Sequence, residues 1–145
     1  MEVSFYQTAE GNLVSSAVRL LEKIYASGLR CIFFSPLEER VKTVDKALWT
    51  FSTNAFIPHG DKDTGFCDLQ PIYFTARVEN PNGAKAVMLL DTFDYAAWRG
   101  VERFIPVFED EQRAEIAKAL CNDLKKSGEN VNYWKQSPKG WEKAV

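Results

Sequence analysis

The chain has no run of roughly 18 apolar residues, the length a bilayer-spanning helix needs, and Met1-Glu-Val-Ser-Phe5 offers no basic stretch ahead of an apolar one. The expectation is a protein with no membrane partner and no export signal, working in the cytoplasm. Cysteine is scarce: Cys31, Cys67 and Cys121 are odd in number, far apart and free of Cys-x-x-Cys spacing, which fits reduced structural thiols rather than disulfides or a zinc site. Histidine is scarcer still. The segment around His59, Gly60-Asp-Lys-Asp-Thr-Gly-Phe-Cys-Asp68, matches no metal-ligand spacing and reads as a surface loop, so no metal is expected. Glycine-rich phosphate cradles are missing too. The turn Thr8-Ala-Glu-Gly-Asn12 holds one glycine and a carboxylate, and neither a dinucleotide fingerprint, a P-loop nor a Gly-x-Ser-x-Gly elbow occurs. Asp91, at a strand end, is a lone acid with no partner visible in the sequence. These absences predict no cofactor and no intrinsic enzymatic activity. Positive charge is not in excess either: a net charge of −2 argues against nucleic acid or anionic membrane held by bulk electrostatics, leaving only a local basic patch.

What the chain does contain is enough apolar residue, 46% of 145, to bury one ordinary core. Val3 to Thr8 has strand composition and leads to Asn12, a good N-cap for a helix over Leu13 to Ser27 that Gly28 closes. Arg30 to Ser35 and Ala86 to Asp91 are apolar runs typical of strands buried on both faces. Ser35, Pro36 and Glu38 form a capping-box start for a second helix, whose stripe is Leu37, Val41, Val44, Leu48 and Phe51. Pro71 to Val78 reads as a strand, Asn80 to Gly83 as a turn and Thr92 to Gly100 as irregular. Arg103 to Val107 reads as a strand whose Pro106 suggests an end or an edge. A long helix follows over Glu109 to Ser127, with acids at its start and Lys125-Lys126 at its finish. Asn130 to Trp134 reads as extended and Pro138 to Val145 as a loose tail.

Strands alternating with helices imply an α/β domain of Rossmann-like design, a mostly parallel sheet with helices on both faces and no second domain. That fold alone leaves two readings: an interaction scaffold, or a nucleotide- or small-molecule-binding α/β enzyme.

Two stretches bear on the choice. Trp49 sits roughly 120° round from the stripe of its helix, so burying the stripe leaves the indole near solvent, where it either covers the core edge or meets a partner together with Phe56. On the last helix, a core face of Ile116, Ala117, Leu120 and Leu124 runs beside Ala114, Lys118, Cys121 and Lys125. That flank is either simply solvated or a shallow groove for a short acidic peptide with an apolar end.

Phe5-Tyr6, Ala47-Leu-Trp49 followed by Phe56-Ile-Pro-His59, Asn80-Pro-Asn82, and a terminal helix ending at Gly128 before Asn130-Val-Asn132 together resemble the chi subunit family of bacterial DNA polymerase III holoenzyme. The resemblance spans nearly the whole chain and is sharpest from Asp45 to His59. It implies a Rossmann-like domain over residues 1–136, without nucleotide chemistry, and a C-terminal tail over 137–145. It implies an accessory role in DNA replication: linking the clamp-loader complex to the acidic C-terminal tail of single-stranded DNA-binding protein, with DNA contacted only indirectly. A psi subunit or a repair helicase would meet Trp49 and Phe56. The tail would meet Arg113, Lys118, Cys121, Lys125 and Tyr133. Ala114 stands where the family has a basic residue, with Arg113 adjacent, and Cys121 where it has an aromatic one.

Overall fold

The computed structural model describes residues 1–51, 59–61, 63, 69–98 and 100–144, the Phe51 side chain excepted. In chain order these form β1 (Glu2–Gln7), α1 (Leu13–Ala26), β2 (Cys31–Phe34), α2 (Glu38–Phe51), β3 (His59–Gly60), β4 (Ile72–Thr75) and β5 (Ala86–Leu90). A 3-10 turn at Tyr95–Ala97 precedes β6 (Arg103–Phe108), α3 (Glu111–Lys126), β7 (Asn130–Ser137) and β8 (Gly140–Lys143). The strands make one sheet ordered β3-β4-β2-β5-β6-β1-β7-β8, parallel throughout except where β7 meets β8. This is the expected α/β architecture with helices on both faces. Among the described residues no helix is long and apolar enough to cross a membrane.

The continuous apolar runs are central because both their faces are covered. Cys31, Phe33, Ala86, Met88 and Leu90 meet α1 and α2 through Leu13, Ala17, Leu21, Val44 and Leu48. Ile32, Phe34, Val87 and Leu89 point to the other face, beneath Trp98, Val101 and the small residues of α3. Strands β1 and β7 alternate instead. Val3, Phe5, Val131 and Tyr133 are buried under α3, whereas Ser4, Tyr6, Asn132 and Trp134 are only half-buried on the opposite face. There α1 packs on β6 and β2 and α2 on β4, which leaves the β1-β7-β8 end of that face partly open.

Several local expectations are corrected. Pro106 lies at neither an end nor an edge: β6 is flanked by β5 and β1, with Leu89 opposite Pro106 on the β5 side. The ladder to β1 runs Glu2 to Arg103 and Val3 to Phe104, then resumes at Tyr6 to Val107, so the missing proline donor is absorbed as a gap. Most of the expected loose tail is ordered. Residues 140–143 return as β8 against β7, so the boundary drawn after residue 136 falls inside a hairpin. Asn12 places no side-chain cap on α1, because its amide Nδ2 donates to Gln136 Oε1 at 3.2 Å. Helix α2 starts at Glu38, two residues beyond the expected start at Pro36. The Ser35 hydroxyl accepts the Leu37 N–H at 3.1 Å and donates to Asp91 at 2.8 Å, which turns Leu37 out to solvent while Val41, Val44 and Leu48 stay in the core.

Candidate partner-binding surfaces

Trp49 is 53% exposed, as its helical phase predicts. It is also held. Its indole lies on the imidazole of His59 with centroids 4.3 Å apart, and His59 stands edge-on to Phe74 at 5.4 Å. His59 is buried in β3, with Nε2 2.9 Å from the carboxylate of Asp45, one turn before Trp49 on α2. The helical i, i+4 pair Asp45 and Trp49 therefore clamps the histidine from two sides. The sole histidine thus has a structural role that the loop reading missed. Among the described residues no group of three His, Cys, Asp or Glu side chains is arranged to hold a metal. Phe56 and Cys67 lie outside the described residues.

Helix α3 is rotated from the expected phase. Its buried residues are Ala114, Ala117, Cys121 and Leu124, within about 80° of arc at about 100° per residue, while Ile116 faces solvent. Small side chains let the helix sit close on the sheet, a preference that counting large apolar residues overlooks. Cys121 and Tyr133 are thus buried in the core beneath α3 rather than exposed on its flank. Burial pushes the Cys121 thiol upward against the opposing pull of Lys125. The Tyr133 hydroxyl donates to Gln7 Oε1 at 2.6 Å, and burial, aided by Cys121 and Glu111, pushes it up to about 12. The cations expected to act together are divided. Lys118 and Lys125 are exposed on one flank; Arg113 is about 120–140° away on the other, 3.3 Å from Asp110 and 3.5 Å from Asp91.

Asp91, read from the sequence as an acid without a partner, is the junction of the two helices. Its carboxylate is only 6% exposed and receives Arg40 of α2 through Nε at 3.1 Å and a second guanidinium nitrogen at 3.4 Å. Arg113 of α3 approaches from the opposite face, and the Ser35 hydroxyl donates as well. Two guanidiniums and a hydroxyl compensate the buried charge. Its φ of 65° makes Asp91 the one non-glycine residue with positive φ among those described, a conformation sustained only when the surroundings over-determine it.

In open α/β sheets ligands bind beyond the carboxyl ends of strands where the connections diverge, here β1, whose helix crosses one face, and β6, whose helix crosses the other. Side chains of this chain already occupy two amides of the turn there. Glu109 accepts the Gly11 N–H at 3.1 Å, and Gln136 Oε1 accepts the Ala9 N–H at 2.9 Å. The carboxylate noticed in the sequence was Glu10; the one on the turn amide is Glu109.

A sequence model of the family described as DNA polymerase III chi subunit, HolC, matches residues 1–132. The chain is also 32% identical over 124 residues to a protein of Rickettsia prowazekii (strain Madrid E) named probable DNA polymerase III subunit chi, an alignment covering 86% of this chain and 73% of that protein. With a family match over residues 1–132 and a relative 32% identical across most of both chains, this chain belongs to the DNA polymerase III chi subunit family.

Proposed function

We propose that the chain is a non-catalytic accessory subunit that links the clamp-loader complex to single-stranded DNA-binding protein, acting in the cytoplasm and meeting DNA through these partners. The observation that carries this reading is Trp49, exposed yet fixed on His59. A large ring held in place before binding loses little conformational freedom when a partner covers it. A psi subunit or a repair helicase would dock there, with Phe56 alongside. The acidic tail would lie along α3 on the flank of Lys118 and Lys125. Cys121 and Tyr133 shape that helix from beneath, and Arg113 orients it through Asp91. The carboxylate of Glu109 on the Gly11 amide, where phosphate charge would lie, supports a scaffold over the nucleotide- or small-molecule-binding enzyme considered above.

The two surfaces separate in one experiment. In calorimetric titrations, Trp49→Ala should weaken a psi or helicase partner by about 2 kcal/mol or more and leave the tail peptide unaffected. Lys118→Glu should do the reverse, with tail affinity falling as salt rises. A Trp49→Ala protein that binds every clamp-loader partner normally, or unfolds, would sink the docking assignment.

A further inference from the structure

The sheet face carrying α1 and α2 is open at its β1-β7-β8 end. Tyr6, Trp134 and Trp141 lie there, none of them buried, on three neighbouring strands. The register sets Tyr6 beside Trp134 and Gln136 beside Trp141, and Trp141 stands edge-on to Tyr6 at 5.1 Å. Along α1 run two hollows that share Leu20 and Lys23 as lining, one of about 520 Å³ walled by Trp141 and one of about 220 Å³ walled by Tyr6, with Trp134 beside Tyr6 on the adjoining strand. Arg19 and Lys23 line them, and Lys143 lies farther along on β8. Arg19 and Lys23 on α1, and Lys143 in register with Trp134, are exposed and enter no ion pair among the described residues. Of the acids on the rim, Glu2 is 3.8 Å from Arg103 and Glu22 stands among the lysine and arginine side chains of α1. The balance on the rim is positive although the chain as a whole is acidic.

We propose that this groove binds single-stranded nucleic acid, with Tyr6, Trp134 and Trp141 as stacking surfaces and Arg19, Lys23 and Lys143 as phosphate contacts. Partly exposed rings on neighbouring strands suit unpaired bases, because every base presents a π-face, and adjacent cations track the backbone. A duplex hides its base faces and asks for many more phosphate contacts than three. An acidic peptide would use the cations and leave the row of rings idle. The α1 flank from Ser16 to Ser27 is about 16 Å long, room for about four or five nucleotides at a stacked spacing of roughly 3.4 Å. The inference goes beyond the indirect contact with DNA proposed above. Because α3 lies on the other sheet face, it stands or falls separately.

The test is fluorescence anisotropy of labelled dT15 and U15 titrated with the full chain at low salt, circular dichroism confirming that each variant is folded. Saturable binding is expected, with log K falling against log salt at a slope of about −2, as three phosphate contacts to a single strand require. The stronger of the two oligonucleotides names the polymer. Arg19→Glu combined with Lys23→Glu should weaken binding at least tenfold. Trp134→Ala should weaken it several-fold while Trp134→Phe restores it, and Lys118→Glu should change nothing. Absence of saturable binding to both oligonucleotides, or equal binding by the charge-reversed protein, would overturn the proposal. So would an acidic peptide that binds this groove as tightly as the oligonucleotides and is indifferent to Trp134→Ala. Failure of the tail reading would show instead in the Lys118→Glu peptide titration.

Discussion

Trp49 on α2 and Ile116 on α3 are exposed to nearly the same degree, 53% and 52%, and each departs from its helix's buried stripe. Their settings differ. Trp49 rests on an imidazole that is buried and gripped by Asp45, whereas Ile116 projects from the side of α3 opposite Ala114, Ala117 and Cys121. A ring already packed on a neighbour loses less entropy on association than a side chain free to rotate, so of the two residues Trp49 is the better prepared to be covered by a partner. Isolated apolar side chains on a surface are ordinary.

The two helices nevertheless share one footing, and the largest predicted effect breaks it. Asp91→Ala removes the carboxylate between Arg40 and Arg113 and should cost about 3 kcal/mol, the arginines being only part-buried. Hydrogen exchange should then accelerate in the first turns of α2 and α3 together; acceleration in one helix alone would show that they are anchored independently.

Little of that junction was legible in the sequence. Asp91 lies 51 residues from Arg40, and nothing local to Asp91 announces an acceptor for two helices on opposite faces. The buried runs of β2 and β5 and the spans of α1 and α3 were legible because burial on both faces, helical periodicity and glycine stops all act locally. The phase of α3 was not: Ile116 and Leu120 outweigh Ala114 and Cys121 in hydrophobicity, yet close approach to the sheet favours the smaller pair. Strand β3 has only two residues, and β8, Gly140-Trp-Glu-Lys143, carries a single apolar position, so alternation does not register in either. For the candidate sites, the exposure of Trp49 followed from periodicity. The division of Arg113 from Lys118 was open to the same periodicity, whereas the support of Trp49 by His59 and the burial of Tyr133 depend on tertiary contacts.

A smaller effect separates the two faces by pH. Burial raises the Cys31 thiol, under α1 and α2, from 9.0 to about 12, while Tyr133, under α3, rises from 10.0 to about 12. Both groups are neutral when protonated, and the folded state keeps the proton longer. The stability they contribute is therefore intact below pH 9 and is lost as pH climbs toward 12. By pH 10.5 the Cys31 share should amount to roughly 2 kcal/mol. Urea midpoints measured from pH 8 to 10.5 should fall, and fall less steeply in Cys31→Ala; an unchanged slope would place the alkaline loss on the α3 face.

The smallest effects sharpen the contrast between the two exposed residues. Asp45→Ala leaves Trp49 in place but frees the histidine beneath it, at about 1–2 kcal/mol in stability, and should lower affinity for whatever docks on Trp49. Ile116→Ser should stay within about 0.5 kcal/mol in thermal unfolding and leave that docking untouched. Equal losses of docking affinity from the two substitutions would erase the distinction between supported and unsupported residues.

The contact between Glu109 and the Gly11 amide also bears on competition. A carboxylate carried by the fold faces that amide at an effective concentration on the order of millimolar or above, and a diffusing phosphate must both displace it and approach its negative charge. Any phosphate arriving at the switch point would therefore compete with a carboxylate that the fold itself carries to the Gly11 amide.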